Sequence, residues 1–281
     1  MQSETTLYFS HKSCADPHFS IQNPALLSNF LERFAIEPSR IGSTLLLKKL
    51  CTAFSSIPYE NLTKIIKSDS VLSPVSAKRM PDEVLHDFLR YGCGGTCFSL
   101  TATCIALLNA FEFDAFPILA DRSYGSDTHC ALLFPQAGEF LLLDPGYLIT
   151  TPVALPTTAA VTCSNGVNRF ELVPEAGGTQ VELYTLSQNS RRFRLSYKIS
   201  PVDGPAFRRA WERSFAWEMM TFPVLTRYCQ GAHYYLQGNT LRIRNAAGSR
   251  KEQLASAEDQ ALVSLNLGID AAIMSRALSL L

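Results

Sequence analysis

The sequence predicts an α+β fold in which helices come first, strands follow and a mixed segment ends the chain. Residues 24–54 place apolar side chains at intervals of three and four, the spacing of amphipathic helices. Between about residues 116 and 199 the pattern changes to short apolar runs broken by Gly, Pro, Asn and Ser, which is typical of an antiparallel sheet or barrel. The last third combines an aromatic helical stretch, a hairpin with a Gly238-Asn239 turn and a final helix.

The composition indicates a globular protein without a preference for polyanionic partners. Hydrophobic residues make up 47% of the 281 residues and charged residues 18%, which is unlike a disordered chain. Lys and Arg together number 25, as do Asp and Glu, so we expect no nucleic-acid or membrane partner. The N-terminal segment lacks the basic flank and apolar run of a secretory signal, which predicts a cytoplasmic location.

Eight cysteines at irregular spacings, without paired Cys-x-x-Cys units, predict buried free thiols rather than a disulfide framework or a zinc ribbon. Residues 1–22 show no periodicity and are predicted to form a flexible leader. His11, Cys14 and His18 lie in this leader but lack a fourth ligand, so we predict no metal site.

Cys97 stands where a glycine-containing loop meets a helical stretch, and this position favours a nucleophile. Unpaired backbone N–H groups in the first turn of a helix stabilise a thiolate. Gly94 and Gly95 leave room for a substrate carbonyl whose oxyanion could meet backbone donors. The alternative interpretation is a buried structural cysteine behind a turn.

Two strand-like runs, residues 128–134 and 139–144, are separated by a predicted four-residue loop at 135–138. If Phe134 faces Glu139, His129 lies directly opposite Asp144, with Cβ atoms about 4.5–5.5 Å apart on one face. A slip of one residue would send the two side chains to opposite faces. In the predicted register the carboxylate orients the imidazole, which takes the proton from Cys97.

His129 and Asp144 could also each have a purely structural role. His129 could be satisfied by a local carbonyl at a sheet edge, and Asp144 could open the turn formed with Pro145 and Gly146. Their shared register favours the catalytic interpretation for the pair.

Four motifs occur in a specific order: IPYENL at 57–62, GGTCF at 94–98, TH at 128–129 and LDPGY at 143–147. Together they resemble the arylamine N-acetyltransferase family, and the likeness extends from FLERFAI at 30–36 to DQALVSLNLGI at 259–269. The resemblance implies a helical bundle at 23–113, a central antiparallel β-barrel at 114–200 and an α/β lid at 201–281. It also implies a cysteine-protease-like Cys-His-Asp core between bundle and barrel.

Carried over to this sequence, the family's nucleophile matches Cys97, its base matches His129 and its orienting acid matches Asp144. The family's acyl donor is acetyl-coenzyme A, a co-substrate, so we expect no permanently bound cofactor. The resemblance further implies residues that border the donor and acceptor cleft: Tyr59, Thr128, Gly146 and Tyr147.

The resemblance therefore predicts a ping-pong acyltransferase whose acceptor is a small-molecule amine such as an arylamine or arylhydrazine. Three alternatives stay open at this point. The first is a biosynthetic, amide-forming acyltransferase that uses a carrier-protein thioester. The second is a transglutaminase-like enzyme or cysteine hydrolase, and the third is a non-catalytic binding protein.

The chain departs from the family beside the nucleophile. The family usually has Arg-Gly-Gly-x-Cys, and Cys93 occupies the place of that arginine. In the family this arginine pairs with the glutamate that matches Glu60, so we expect Glu60 to find another partner in Arg90 or Lys64. Cys93 itself is predicted to be a buried thiol, with a disulfide to the nucleophile as the alternative.

Overall fold

The computed structural model describes residues 16–187 and 190–281, and these contain nine α-helices and thirteen β-strands. Six helices make up the first part of the fold. They are α1 (Pro24–Arg33), α2 (Ser43–Phe54), α3 (Leu62–Ser70), α4 (Pro74–Ala77), α5 (Pro81–Tyr91) and α6 (Cys97–Asn109). The helices predicted over residues 24–54 are therefore present.

Eight antiparallel strands form the central sheet. They are β2 (Phe116–Arg122), β3 (Gly125–Gln136), β4 (Glu139–Asp144), β5 (Ile149–Ala154), β6 (Val161–Ser164), β7 (Arg169–Pro174), β8 (Gln180–Leu186) and β9 (Arg191–Lys198). Their spatial order is β5-β4-β3-β2-β9-β8-β7-β6, and the edge strands β5 and β6 lie next to each other. The sheet is thus a nearly closed barrel, as the sequence predicted.

The C-terminal part is a second antiparallel sheet with helices beside it. The sheet contains β1 (Tyr59–Glu60), β10 (Val224–Cys229), β11 (Ala232–Gln237), β12 (Thr240–Asn245) and β13 (Gly248–Gln253) in that order. Helix α7 (Gly204–Arg213) precedes the sheet, and α8 (Ala257–Asn266) and α9 (Ala271–Leu278) follow it. The predicted turn at Gly238-Asn239 joins β11 to β12. Strand β1 comes from the helical first part of the chain and pairs with β10 of the second sheet. This pairing joins the helical part to the C-terminal part, and it is formed by residues that precede Cys97 in the sequence.

Helix α6 is the structural centre of the molecule. Every residue from Cys97 to Leu108 is buried. The helix packs against α2, α5 and the barrel strands β2 and β3, so it has no solvent-facing side. A helix that is apolar all round is expected at such a position.

The described end of the predicted leader, residues 16–22, is part of the folded structure. Residues Pro17–Phe19 form a 3₁₀ turn, and the Phe19 ring is buried at 5.2 Å from the Phe207 ring. Asp16 forms an ion pair of 2.6 Å with Arg208. The boundary of a flexible leader at residue 22 is therefore wrong for these residues, because an apolar side chain and an ion pair anchor them. His11 and Cys14 lie outside the described residues.

Within the described residues, no helix has the length and apolar character needed to cross a membrane.

Candidate active site

Cys97 is the first residue of α6, as the sequence predicted, and Thr96 is its N-cap. The thiol is nearly buried, with 3% of the residue exposed. The loop before it packs against the chain at residues 58–60. A Cβ at position 94 would lie 1.8 Å from the Pro58 carbonyl oxygen, so only glycine fits there. This close approach fixes the start of α6 and thereby the position of Cys97.

His129 on β3 and Asp144 at the end of β4 face each other, but the predicted register of this hairpin is wrong by two residues. Leu133 pairs with Leu142, and the turn contains only Ala137 and Gly138. Both turn residues have positive φ, at 51° and 84°, as a tight two-residue hairpin turn requires.

The error arose because Pro135 suggested a loop, whereas it pairs with Phe140 within the hairpin. A shift of two residues keeps every side chain on its predicted face. His129 and Asp144 therefore still meet, as a diagonal pair rather than as direct partners.

The imidazole and the carboxylate are in direct contact. Nε2 of His129 lies 2.7 Å from Oδ2 of Asp144, and both residues are completely buried. The same Oδ2 accepts a hydrogen bond of 2.5 Å from the Tyr197 hydroxyl, and Oδ1 accepts one of 3.0 Å from the backbone N–H of Tyr147. These donors hold the carboxylate in the plane where it can orient the imidazole.

Cys97 lies beside the imidazole. The two side chains are close enough for each to shift the pKa of the other. A Cβ added at Gly146 would lie 2.6 Å from Cε1 of His129 and 2.9 Å from Cβ of Cys97, so the two side chains flank this glycine closely. The structure thus brings together the three residues that the sequence predicted as a triad.

The surroundings favour a thiolate paired with an imidazolium. The neighbouring Cys130 thiol, whose own hydrogen bond goes to the Thr101 hydroxyl at 3.5 Å, lowers the pKa of Cys97 most. Burial opposes this, and the nearby His129 lowers the pKa of Cys97 further. For His129, burial disfavours the charged form, but the Asp144 carboxylate outweighs it and raises the pKa. The pair can therefore carry separated charges near neutral pH.

The partner of Glu60 is Arg79, and the prediction of Arg90 or Lys64 is wrong. Arg79 lies between α4 and α5, and its Nη1 is 3.7 Å from Oε1 of Glu60. The same Nη1 donates to the Gly94 carbonyl oxygen, and Nη2 forms an ion pair of 2.7 Å with Asp87.

Lys64 instead donates to the Ser214 carbonyl and hydroxyl oxygens, and the Arg90 guanidinium lies over the Tyr91 ring. Cys93 is a buried free thiol in the apolar cluster beneath the second sheet, and burial raises its pKa. The interpretation of Cys93 as a buried thiol thus agrees with the structure.

The four predicted binding residues occupy different environments. Gly146 and Tyr147 adjoin the imidazole, and the Tyr147 ring makes an edge contact with it at 5.2 Å. Tyr59 is buried in β1, where burial and the neighbouring Cys97 raise the pKa of its phenol. Thr128 uses its hydroxyl within its own hairpin, donating to the Gly125 carbonyl at 2.9 Å. The Thr128 hydroxyl therefore supports the strand connection beside the site.

Sequence reasoning missed three residues that touch the triad: Arg122, Cys130 and Tyr197. Cys130 follows His129 directly, and a thiol beside a predicted base is a signal that could have been used. Arg122 pairs with Gly125 across the turn that joins β2 to β3, so a hairpin built at that point would have placed it near His129. Tyr197 lies 53 residues from Asp144 in the sequence, and no local pattern connects the two.

A cleft of about 560 Å³ lies nearby, between α2, β5 and β10, and Leu148 lines it. None of Cys97, His129 and Asp144 lines this cleft. No group of three His, Cys, Asp or Glu side chains among the described residues could hold a metal ion. The site is thus defined by the geometry of the three side chains.

Known structures share this architecture. The arylamine N-acetyltransferase of Mycobacterium tuberculosis is 18% identical, covers 89% of this chain and 99% of its own, and superposes with a TM-score of 0.73. The Mycobacterium marinum enzyme in complex with CoA is 17% identical, with 90% and 97% coverage and a TM-score of 0.73. An enzyme from Bacillus cereus with a Cys-His-Glu triad is 17% identical, with 87% and 98% coverage and a TM-score of 0.68.

No protein-family model and no curated protein sequence matches the chain. The structural matches show that the chain has the fold of arylamine N-acetyltransferases, which confirms the architecture that the four motifs predicted. At this level of identity the likeness concerns the fold, and the chemistry is argued from the residues themselves.

Proposed function

We propose that the protein is an acyltransferase that carries its acyl group as a thioester on Cys97. The observation that carries this proposal is the Cys97-His129-Asp144 arrangement at the start of a buried helix. A thiol at a helix N-terminus, a hydrogen-bonded imidazole and an orienting carboxylate are the parts that nucleophilic acyl transfer needs.

The reaction proceeds in two half-reactions. In the first, the Cys97 thiolate attacks the carbonyl carbon of an acyl thioester, a new C–S bond forms, and the donor sulfur leaves with the proton of the His129 imidazolium. In the second, an amine attacks the Cys97 thioester and neutral His129 takes the amine proton. The C–S bond then breaks and Cys97 leaves as a thiolate, so the amide is released and the starting state returns.

Acetyl-coenzyme A is the proposed donor, and a small-molecule amine such as an arylamine or arylhydrazine is the proposed acceptor. The CoA complex of the Mycobacterium marinum enzyme, which has the same fold, supports a coenzyme A thioester as donor. The free thiols of the described cysteines fit a reducing compartment, which supports a cytoplasmic location. A carrier-protein thioester as donor, or water as acceptor, are the alternatives that product analysis separates.

Intact-protein mass spectrometry after incubation with acetyl-coenzyme A tests the proposal. We expect wild type and Cys93→Ala to gain one acetyl group, and Cys97→Ala to gain none. Cys93 is the matched control because it is a buried thiol near the nucleophile in sequence that contacts the Tyr91 carbonyl instead of the imidazole. A folded Cys93→Ala variant that fails to acylate, or an acylated Cys97→Ala variant, would contradict the assignment.

A further inference from the structure

Arg122, at the end of β2, places its guanidinium against the imidazole of the triad. Its Nη2 lies 2.9 Å from Nδ1 of His129, and its Nη1 donates to the Tyr124 hydroxyl at 2.7 Å. The guanidinium also lies over the Tyr147 ring, 5.5 Å from the ring centre. Nδ1 is the nitrogen that faces away from Asp144, so Arg122 approaches the imidazole on the side opposite that carboxylate.

This guanidinium has hydrogen-bonding capacity that the protein leaves unused. Its buried Nε has no hydrogen-bond partner, and no carboxylate in residues 16–187 or 190–281 forms an ion pair with it. Buried arginines are normally satisfied by carboxylates or carbonyl oxygens, because leaving a donor unpaired costs free energy. Arg122 as a whole residue is partly exposed although its Nε is buried, so a carboxylate reaches Nε when the guanidinium turns toward it.

Lys64 is a second buried basic side chain without a carboxylate partner among the described residues, and burial lowers the pKa of its amine to about 7. Nζ of Lys64 is held by the Ser214 carbonyl at 2.9 Å and lies over the Phe215 ring at 4.3 Å. The one carboxylate of the triad, Asp144, is already bonded to His129. The Arg122 guanidinium is thus a positive charge without a carboxylate of its own among the described residues, which favours an anionic group on the substrate.

We propose that Arg122 binds a carboxylate at the far end of the acyl group, so that the preferred donor is the thioester of a short dicarboxylic acid such as malonyl-coenzyme A. This inference rests on the proposed acyltransferase function and specifies its acyl group. A guanidinium edge formed by Nε and one Nη matches the two oxygens of a carboxylate. The Arg122 Nε is the unpaired member of that edge.

The short length of the proposed acyl group follows from the position of Arg122. The guanidinium lies against the imidazole, and the side chains of Cys97 and His129 both flank Gly146, so an acyl group on Cys97 needs only one or two methylene groups to bring a carboxylate to Arg122. The carboxylate makes no covalent bond and keeps its charge throughout. The C–S bonds form and break as in acetyl transfer.

Binding of the carboxylate has a second effect on the imidazole. Nη2 of Arg122 lies 2.9 Å from Nδ1 of His129, and because a guanidinium can only donate, the two form a hydrogen bond only while Nδ1 carries no proton. The charge of Arg122 also opposes the imidazolium form of His129. A carboxylate that draws the guanidinium toward itself therefore favours the imidazolium, the form that gives its proton to the leaving donor sulfur.

The test compares acyl groups of the same shape and different charge. Isovaleryl-coenzyme A is the control because its branched end has the shape of the malonyl carboxylate without the charge, and acetyl-coenzyme A reports the basal reaction. Rates of Cys97 acylation are followed by intact mass spectrometry for wild type, Arg122→Gln and Arg122→Lys. In wild type we expect malonyl to react faster than isovaleryl by roughly tenfold to hundredfold, the range expected for a charge-assisted pair.

Arg122→Gln should abolish this preference, and Arg122→Lys should keep part of it. If Arg122→Gln lowers the rate of Cys97 acylation equally with all three donors, Arg122 only positions His129, and the inference is overturned. Should Arg122→Gln fail to fold, the wild-type comparison decides alone, because equal malonyl and isovaleryl rates also overturn it.

Two further outcomes are informative. If wild type discriminates 4-aminobenzoate from 4-aminobenzamide as acceptors but shows no malonyl preference, the carboxylate belongs to the acceptor and the inference fails. If no thioester acylates Cys97, acetyl included, the proposed function itself fails. Acetylation without a malonyl preference leaves the proposed function intact and removes only the role given to Arg122.

Discussion

The Tyr197 hydroxyl donates to Oδ2 of Asp144 at 2.5 Å, and this is the oxygen that also contacts Nε2 of His129. Tyr197 lies on β9 and Asp144 at the end of β4, so two distant strands of the barrel meet at one carboxylate oxygen. The barrel thereby supports the imidazole through the carboxylate.

Tyr197→Phe should lower the free energy of unfolding and slow acyl transfer. The change removes one donor from a completely buried carboxylate, and a hydrogen bond to a charged group contributes about 1.5–3 kcal/mol. Urea unfolding measures the stability, and single-turnover acylation measures the rate. Tyr184→Phe is a matched control, since that hydroxyl donates to Glu182 on the barrel surface. An equal loss of rate in both variants would contradict the role of Tyr197.

Asp144→Asn should reduce turnover by roughly three to four orders of magnitude while the hairpin stays folded. An amide can hold the imidazole in the wrong tautomer and cannot stabilise its positive form. Asp144→Glu is the control because it keeps the carboxylate, and a protein of this fold has a Cys-His-Glu triad. We expect Asp144→Glu to be the more active of the two in steady-state kinetics. Near-normal turnover of Asp144→Asn would remove Asp144 from the triad.

The rate of alkylation by iodoacetamide should stay high down to mildly acidic pH in wild type. The neighbouring Cys130 thiol has the largest of the effects that lower the pKa of Cys97, so thiolate persists below the ordinary thiol pKa of about 8.5. Reactivity is lost only as the pH falls through this lowered pKa. Cys130→Ala and His129→Ala should each move the midpoint to higher pH.

Cys104→Ala provides the control for that experiment. Burial raises the pKa of Cys104, a cysteine on the same helix, and Cys104 does not contact the imidazole. Its removal should leave the midpoint where it is in wild type. A midpoint near 8.5 in wild type would show that Cys97 is an ordinary thiol.

Arg79→Met should destabilise the protein by about 3–5 kcal/mol, because it leaves the buried Glu60 carboxylate without its cation. The double variant Arg79→Met/Glu60→Gln should recover part of that loss, since the uncompensated charge is gone. Urea unfolding of both single variants and the double variant gives the coupling between the two residues. Additive losses would mean that the ion pair contributes nothing to stability.

Short-range features of the fold and site were predictable from the sequence. The start of α6 at Cys97 followed from the glycines before it and the apolar residues after it. The alternation of side chains along β3 and β4 placed His129 and Asp144 on one face. Because Pro135 suggested a loop, the pairing of Pro135 and Gln136 with β4 was not predicted, and the predicted register was shifted. An error of two residues was harmless because the period of a strand is two.

Long-range contacts were not predictable in the same way. Tyr197 reaches Asp144 because the barrel curves β9 toward the end of β4, and no spacing in the sequence encodes that curvature. Arg79 reaches the loop before Cys97 from the segment between two short helices. Predicting either contact requires the packing of several elements at once, whereas the sequence pattern reports one element at a time.

The position of Arg79 explains how Glu60 is neutralised although position 93 holds a cysteine. A buried carboxylate needs a cation within reach, and the physical requirement concerns where the charge lies, irrespective of the residue that supplies it. Because Arg79 brings its guanidinium to Glu60 and Gly94 from elsewhere in the chain, position 93 needs no charge and can hold a thiol. The loop before Cys97 is thus held by a charge that is distant in sequence and adjacent in space.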